Sequence, residues 1–306
     1  MKVALVVPTC NAGPRWKSWL EAVRMQTPRP DRLLLIDSSS EDDTASLARE
    51  CGFEVCVIPR HEFDHGGTRQ LGVEWAFGAD VVVFLSQDAT LANRDALERI
   101  LACFENAEVG AAYGRQLPYP DASPIEVHAR SFNYPSASSV KGLQDVPRLG
   151  FRTIFFSNAF GAYRRCVLEE VGGFKAGTIS MEDEHVAARI VLAGHKIAYC
   201  AEAQVYHSHT YTIRQEFSRY FDFGVFHARE SWIRERFGQA EGEGMRLVRS
   251  QLGFLWRQRP LLIFPAMCRM AAKLIGLRLG TLEKHLPAAA KRRLSMNKKY
   301  WLAEGE

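Results

Sequence analysis

Three groups of ionisable side chains in this sequence have the composition of a site for phosphate or metal chemistry. Asp88 follows the apolar run 81–85, which has the pattern of a buried parallel strand with a polar break at its carboxyl end. An acidic triplet, 182–184, stands at the predicted start of a helix, where the helix dipole favours carboxylates. His207 and His209 are two residues apart, so they point the same way on an extended segment. These groups suit a divalent cation and a proton acceptor.

Each group also has a structural explanation, which the residues alone do not exclude. Asp88 can cap a helix that begins near Ala92, as many aspartates at strand ends do. Acids in the first turn of a helix are ordinary stabilisers of that helix. Two histidines on an extended segment can also form a plain surface pair. Structural and functional interpretations therefore stay open for all three groups.

A glycine pair, Gly66 and Gly67, precedes a predicted helix that carries Arg69 in its first turn. Backbone amides in such a turn can approach an anion, and Arg69 would add positive charge towards a phosphate. The alternative is a plain tight turn, because glycine adopts turn conformations without steric cost.

The elements that must position these residues follow an α/β pattern. Strands are predicted at 2–7, 32–36, 53–58 and 81–85, with helices at 16–25 and 44–51. A βαβαβ opening of this kind is typical of a doubly wound, nucleotide-binding sheet. Such sheets bind ligands at the carboxyl ends of their strands, so Asp88 is expected at the ligand crevice.

The rest of the chain predicts further elements and one domain boundary. A helix is predicted at 95–104, strands at 109–113 and 196–200, and a long amphipathic aromatic helix at 214–236. The proline- and serine-rich segment 118–147 is expected to be a loop of the kind that forms binding loops or lids. A polar linker at 238–244 predicts a main domain over 1–237 and a helical, basic region over 238–306.

Composition and charge narrow the class of protein. With 47% apolar and 24% charged residues the chain is globular, and seven scattered cysteines without a CxxC pair fit a reducing cytoplasm. Proline at position 8 breaks the first apolar run too soon for a signal peptide, and the sequence has no 18-residue uncharged apolar stretch, so a spanning helix is not expected.

Positive charge is concentrated at the carboxyl end. Residues 245–306 contain 13 Lys and Arg against 3 Asp and Glu, although the whole chain has a net charge of only +4. The basic amphipathic stretch 252–282 favours contact with an anionic membrane surface. The alternative is a helical appendage packed on the main domain. Nucleic acid is not an expected partner, because no recognised binding module accompanies the charge.

In chain order these segments resemble a family 2 glycosyltransferase of the GT-A fold, and most closely its bacterial rhamnosyltransferase branch. The likeness covers residues 2 to about 230. Its general motifs are Pro8-Thr9-Cys10-Asn11, Ile36-Asp37-Ser38-Ser39-Ser40, His65-Gly66-Gly67-Thr68-Arg69, Ser86-Gln87-Asp88, Glu182-Asp183-Glu184 and the distal His207. The segments that resemble the branch are 113–118 and 206–230.

The resemblance implies a mixed, mostly parallel sheet flanked by helices, and inverting transfer of a sugar from a nucleotide diphosphate donor. Asp183 would be the general base that takes the proton of the acceptor hydroxyl. Glu182 would position the acceptor or support the site. Mg²⁺ or Mn²⁺ would be held by Asp88 and His207, with His209 as the competing choice.

The same resemblance implies the residues of the donor nucleotide site. Thr9 and Asp37 would hold the base and ribose, with Asp37 accepting from the pyrimidine N3–H, and Arg69 would lie near the base or diphosphate. The full expected set is Pro8, Thr9, Asn11, Asp37, Ser39, His65, Gly66, Arg69, Gln87 and Asp88.

The branch implies dTDP-β-L-rhamnose as donor and a lipid-linked or lipopolysaccharide-type glycan as acceptor. The enzyme would then work in the cytoplasm or peripherally on the inner face of the cytoplasmic membrane, in O-antigen or related polysaccharide assembly. One departure matters: Ser86 stands where the family usually has the first acid of its DxD motif. Weak or dispensable metal binding, a UDP- or GDP-hexose donor and a non-catalytic nucleotide-sugar binding protein therefore stay open as alternatives.

Overall fold

The computed structural model describes residues 1–238 and 241–303. Within these residues nine strands form one sheet. The strands are β1 (Val3–Thr9), β2 (Arg32–Asp37), β3 (Glu54–Val57), β4 (Val81–Leu85), β5 (Thr90–Leu91), β6 (Val109–Leu117), β7 (Ser139–Lys141), β8 (Phe160–Arg164) and β9 (Lys196–Tyr206).

The sheet is mixed, with the strand order β3-β2-β1-β4-β8-β6-β9-β5 and β7 paired with β9. Strands β1 to β4 are parallel where they pair, as the sequence predicts for a nucleotide-binding half. Strand β8 is antiparallel to both β4 and β6, and β9 returns parallel to β6. Strand β9 is longer than predicted and ends directly before His207.

Helices cover the sheet and extend beyond it at the carboxyl end. The α-helices are α1 (Trp16–Arg24), α2 (Thr44–Glu50), α3 (His65–Trp75), α4 (Ala96–Ala102), α5 (Pro124–Asn133), α6 (Val146–Leu149), α7 (Arg165–Glu170), α8 (Glu182–Leu192), α9 (Ile213–Arg229), α10 (Ser231–Phe237), α11 (Glu241–Gln258), α12 (Ile263–Thr281), α13 (Ala288–Leu294) and α14 (Tyr300–Ala303). Short 3₁₀ turns occur at 60–62, 103–105, 143–145, 150–153, 260–262 and 283–285.

Strand β4 lies in the middle of the core and is fully buried. Val81, Val83 and Leu85 pack on one side of the sheet, and Val82 and Phe84 pack on the other. Continuous burial explains why this strand reads as an unbroken apolar run rather than an alternating one. Its carboxyl end is therefore a rigid point from which the following polar loop starts.

Two explanations offered by the sequence are overturned by the position of α4 and α5. Helix α4 begins at Ala96 after Asp95, so Asp88 does not cap it. The segment 118–147 is not one loop, because Pro124 occupies the first turn of α5 and Ser123 forms a capping box with Glu126. Pro124, which predicts a loop in the sequence, instead lies in the first turn of α5.

Helix α5 is also covered by the carboxyl-terminal region. The Gln251 side chain of α11 donates to the carbonyl of Ile125 at 3.1 Å, and His128 lies 2.9 Å from the Ser250 hydroxyl. This packing places α11 directly against α5.

The prediction of one long helix over 214–236 is wrong. The chain leaves helical geometry at Glu230 and forms two helices, α9 and α10. The Glu230 carboxylate accepts from Lys175 at 2.5 Å and from the Trp232 indole at 2.9 Å. These contacts, one of them to a distant residue, hold the bend.

Helix α12 packs closely on α9 through glycines. A Cβ atom at Gly280 would lie 2.0 Å from the Phe221 carbonyl oxygen, and one at Gly276 would lie 2.4 Å from that of Phe217. Trp301 adds a buried ring to the main core. The carboxyl-terminal helices therefore pack on the first 237 residues, as the appendage alternative expects. The domain boundary stays a prediction, and residues 239 and 240 of its linker lie outside the described residues.

One segment has the length and composition of a membrane-spanning helix. Residues Pro260–Thr281 contain a window with a mean hydropathy of 1.5, of which 17% is buried within the protein. Arg269, Lys273 and Arg278 interrupt this segment, so it is not an uncharged apolar stretch.

Candidate active site

Asp88, His207 and His209 meet at the carboxyl end of β4. The Nε2 atom of His207 lies 3.5 Å from one carboxylate oxygen of Asp88, and Nε2 of His209 lies 3.5 Å from the other. One ligand atom from each residue falls within 4.8 Å of the other two. The extended segment after β9 thus directs both histidines to one side, as their spacing predicts, and the surface-pair explanation does not apply.

Burial and mutual contact set the charge of this cluster. Burial lowers the pKa of both imidazoles, to about 4 for His209, so both rings are neutral at pH 7. Asp88 faces both neutral rings and carries the negative charge of the cluster. One carboxylate and two neutral imidazoles are suitable ligands for a divalent transition metal, so this donor set fits the expected cation.

The acidic triplet begins α8, and its three members differ in exposure. Glu182 and Glu184 are buried, whereas Asp183 is half-buried. The backbone amide of Asn158 donates to Oδ2 of Asp183 at 3.1 Å, and that of Glu184 donates to Oδ1 at 2.9 Å. Asp183 is therefore the member of the triplet that is held rigidly and still reaches the surface.

Glu182 is paired with a buried arginine. Its Oε1 atom lies 3.0 Å from Nη1 of Arg69, and the Asn158 side chain donates to the same oxygen at 3.4 Å. Arg69 also donates to the carbonyl of His65 at 2.9 Å. Of the two roles expected for Glu182, this buried pair favours support of the site, and it places Arg69 beside the acids rather than in open contact with solvent.

The Asp183 carboxyl has a pKa suited to proton transfer near neutrality. Burial and the negative charge of Glu182 raise its pKa to about 7, against the opposing effect of backbone donors and Arg69. A general base works best when its pKa lies near the working pH. Perturbed carboxyls of this kind cluster at functional sites.

Hydrogen bonds connect Asp183 to the Asp88 cluster. The Ser86 amide donates to the carbonyl of Ala159 at 3.1 Å, one residue beyond Asn158. On the other side, the Gln116 side chain donates to the Ser157 hydroxyl at 2.8 Å and accepts from His207 at 2.9 Å. The loop 157–159 thus supports both Asp183 and the Asp88 cluster.

The expected nucleotide crevice is built from the ends of β1 and β2. Asp37 is buried, and its oxygens accept from the Thr9 hydroxyl at 3.2 Å and from the Ser40 amide at 2.8 Å. Asn11 and Ser39 have positive φ values of 48° and 54°, which bend both loops sharply. These residues come together as the sequence predicts.

Gln87 joins the crevice to the Asp88 loop. Its side-chain Oε1 atom accepts from the Cys10 backbone amide at 2.7 Å, and its side-chain Nε2 atom donates to the Cys10 carbonyl at 3.2 Å. Pro8 lies within β1, opposite Ile36 of β2. The Gln87 side chain therefore holds the backbone at Cys10, beside the crevice.

Gly66 and Gly67 lie inside the first turn of α3, and not before the helix as predicted, and both are closely packed there. A Cβ atom at Gly66 would lie 1.9 Å from the Lys175 carbonyl oxygen, and the Gly67 amide already donates to the Asp64 side chain at 2.7 Å. The pair therefore forms neither a tight turn ahead of the helix nor an open approach for an anion, because the helix itself begins at His65. His65 begins α3, and burial lowers its pKa.

Sequence reasoning missed three residues that organise the site. Asn158 contacts Asp183, and Gln116 contacts His207. Arg60 lies at the crevice, where its Nη2 atom is 3.2 Å from Cys10 Sγ. Gln116 belongs to the segment 113–118, which the rhamnosyltransferase branch had already marked. Asn158 and Arg60 carry no sequence pattern, because their roles depend on contacts between distant segments.

A model of glycosyl transferase family 2 matches residues 4–172. The chain belongs to glycosyl transferase family 2. It is a glycosyltransferase, and the resemblance stated from its motifs is confirmed.

Two curated relatives of this family 2 enzyme match over nearly their whole length. The O-antigen chain rhamnosyltransferase RfbN of Salmonella typhimurium is 48% identical over 302 residues, covering 98% of this chain and 96% of that protein. The O-antigen chain rhamnosyltransferase WbaN of Salmonella anatum is 50% identical over 298 residues, covering 97% and 95%.

Solved structures confirm the GT-A fold of the family 2 enzyme. The mannosyltransferase PcManGT of Pyrobaculum calidifontis, solved with GDP-Man and Mn²⁺, has a TM-score of 0.58 at 18% identity, over 99% of this chain and 86% of that one. TarS residues 1–349 of S. aureus has a TM-score of 0.56 at 14% identity, over 97% and 84%.

Proposed function

We propose that this glycosyltransferase moves L-rhamnose from dTDP-β-L-rhamnose, with inversion, to a hydroxyl of a lipid-linked or lipopolysaccharide-type glycan in O-antigen assembly. The observation that supports the donor sugar is the identity of about half of the aligned residues to two rhamnosyltransferases, over 96% and 95% of their lengths. A change of donor class is least expected where identity of this size extends over nearly the whole of both chains.

In the proposed reaction Asp183 acts as general base. The acceptor oxygen attacks the anomeric carbon from the face opposite the diphosphate, the carbon–oxygen bond to the diphosphate breaks, and the acceptor proton moves to the Asp183 carboxylate. The amides of Asn158 and Glu184 hold that carboxylate in place. Attack from the opposite face yields an α-L-rhamnoside from a β-linked donor.

The donor nucleotide would lie in the crevice between β1 and β2. Asp37, braced by Thr9 and Ser40, would accept from the pyrimidine N3–H. Asp88 and His207 would hold Mg²⁺ or Mn²⁺ at the diphosphate. A bound cation supplies charge neutralisation on the departing nucleotide diphosphate.

A panel of donors tests the proposed substrate. Purified enzyme is given dTDP-L-rhamnose, UDP-glucose, UDP-galactose, UDP-N-acetylglucosamine or GDP-mannose, and released nucleotide diphosphate is measured with and without EDTA. Selective use of dTDP-L-rhamnose is expected. Selective use of a UDP- or GDP-sugar would contradict the rhamnosyl assignment but would remain compatible with inverting transfer. No turnover of any donor, even with a lipid-linked acceptor, would favour a nucleotide-sugar binding protein without catalytic activity.

We also propose that the carboxyl-terminal helices rest on an anionic membrane, where a lipid-linked acceptor would be presented. Large apolar side chains are exposed along one short segment: Trp256, Leu261, Phe264 and Met267, with Leu261 91% exposed. Arg257 and Arg259 are exposed in the same segment. Apolar side chains flanked by basic ones are typical of a surface that inserts shallowly among anionic head groups.

Vesicle flotation tests this contact. Wild-type enzyme is expected to float with vesicles that contain phosphatidylglycerol and to stay below with phosphatidylcholine alone. The double variant Leu261→Glu, Phe264→Glu should lose flotation, whereas Phe77→Glu, a change at a residue that is 78% exposed elsewhere, should keep it. Equal flotation of all three proteins would contradict the proposed surface.

A further inference from the structure

Because Ser86 stands at the first position of the expected metal motif, that motif has one carboxylate fewer. His209 lies nearby and is a different potential metal ligand. His209 lies as close to Asp88 as His207 does, with 3.5 Å between Nε2 and the second carboxylate oxygen. The two imidazole rings are nearly perpendicular, with centroids 4.6 Å apart. Both rings therefore lie beside the Asp88 carboxylate, in different orientations.

The histidine segment is fixed to the Asp88 loop by the backbone. Thr90 of β5 pairs with Tyr206 of β9, two residues after Asp88 and one before His207. The His207 amide donates to the Leu117 carbonyl at 2.9 Å, and the intervening Ser208 accepts from the Tyr119 amide at 3.2 Å. The alternation that turns Ser208 towards Tyr119 turns its two neighbours towards Asp88.

Each imidazole is held by a contact outside the cluster. The Gln116 amide group donates to Ser157, so its Oε1 atom accepts the Nδ1 proton of His207 at 2.9 Å. This leaves Nε2 of His207 with a free lone pair facing Asp88, the arrangement that outer hydrogen bonds impose on metal ligands. The ring of His209 stacks on Tyr211, with centroids 5.0 Å apart.

The distances from the two oxygens of Asp88 to the two histidines suit a shared ion better than direct hydrogen bonds. The nitrogen–oxygen distances of 3.5 Å exceed those of good N–H···O bonds, which fall between about 2.7 and 3.2 Å. Two atoms each bound at about 2.1 Å to one ion stand about 3.0 to 3.4 Å apart, depending on the angle between them. The observed distances are close to that range.

We propose that His209 is a third protein ligand of the cation, together with Asp88 and His207, and that this set selects Mn²⁺ over Mg²⁺. Imidazole nitrogen binds transition ions well, whereas Mg²⁺ favours oxygen ligands and retains its water. A second imidazole in place of an acid at Ser86 shifts the balance towards Mn²⁺. The inference deepens the metal role in the proposed function, but it concerns the ion and not the donor sugar.

Mn²⁺ binding can be measured directly from the paramagnetic resonance signal of the free ion. Wild type, His209→Ala and the matched surface variant His195→Ala are titrated with Mn²⁺, in the absence and in the presence of dTDP. Wild type and His195→Ala should bind one Mn²⁺ with equal affinity, and His209→Ala should bind at least about tenfold more weakly. An excess of Mg²⁺ of about 100-fold should displace little Mn²⁺ from wild type.

The nitrogen couplings of the bound Mn²⁺ give an independent readout. Two imidazole nitrogens are expected in wild type and one in His209→Ala. Equal affinity and equal couplings in these two proteins, no binding by wild type in either condition, or easy displacement by Mg²⁺ would overturn the inference. If Mn²⁺ binds as described but the enzyme does not use dTDP-L-rhamnose, the donor assignment is contradicted and the metal-ligand inference stands.

Discussion

The backbone amide of Asn158 donates to Oδ2 of Asp183 at 3.1 Å, which ties the acidic triplet to the loop beside Ser86. Because that loop continues from the β4–β8 pairing, the carboxylate is held by the centre of the sheet. A carboxylate fixed in this way would need little reorganisation before it accepts a proton. The position of Asp183 therefore supports its assignment more strongly than the acidic composition of the triplet does.

Replacing the base should remove turnover and leave donor binding in place. Asp183→Asn keeps the size of the side chain but cannot take the acceptor proton, so kcat should fall about 10²- to 10⁴-fold. Steady-state transfer assays and calorimetric binding of dTDP measure the two effects. Asp95→Asn, a matched change at the start of α4, should keep full activity, and substantial turnover by Asp183→Asn would contradict the role.

The pH profile should report the raised pKa of Asp183. Because the base works in its deprotonated form, kcat/KM should rise with pH through about 7 and then level off. Glu182→Gln removes the negative charge that raises the pKa of Asp183, so the midpoint should move to lower pH. The surface variant Glu170→Gln should keep the wild-type midpoint. A midpoint in Glu182→Gln that stays in place or rises would argue against this electrostatic coupling.

Asp37 should affect donor affinity more than chemistry. Loss of its carboxylate removes one charged hydrogen bond to the pyrimidine ring of the donor nucleotide. Asp37→Ala should therefore raise the KM for the donor about 10- to 100-fold. Asp43→Ala, at an exposed acid before α2, is the control. Transfer kinetics at varied donor concentration separate the effects. A fall in kcat alone, with an unchanged KM, would place the nucleotide elsewhere.

The glycine contacts between α9 and α12 predict opposite effects of the same substitution. Gly280→Ala would place a Cβ atom 2.0 Å from the Phe221 carbonyl, so the helices must separate, with a loss of about 1–3 kcal/mol in the free energy of unfolding. Gly253→Ala, in α11 with open space around it, should gain about 0.5–1 kcal/mol from helix propensity. Denaturant unfolding measures both. Equal stability of the two variants would show that α12 does not pack as described.

Features that depend on local periodicity were predictable from the sequence. The apolar run before Asp88 identified the central strand, and the two-residue spacing of His207 and His209 identified their common direction. Both follow from the geometry of extended chain. The motif order then identified the family and the fold.

Features that depend on long-range packing were not predictable. Glu230 ends α9 through Lys175, which is 55 residues away, and Gln116 orients His207 across 91 residues. Arg69 reads as a phosphate ligand at a helix start, yet the fold buries it against Glu182. Such contacts exist only once the sheet has formed, so local patterns do not report them.

The product of the reaction tests the central claim most directly. Enzyme is incubated with a lipid-linked glycan acceptor and an equimolar mixture of dTDP-β-L-rhamnose and the competing nucleotide sugars, and the extended glycan is examined by mass spectrometry and NMR. Addition of one deoxyhexose in α-L linkage is the predicted result. Addition of a hexose or an N-acetylhexosamine, or a β-L-rhamnoside, would contradict the proposed inverting rhamnosyl transfer.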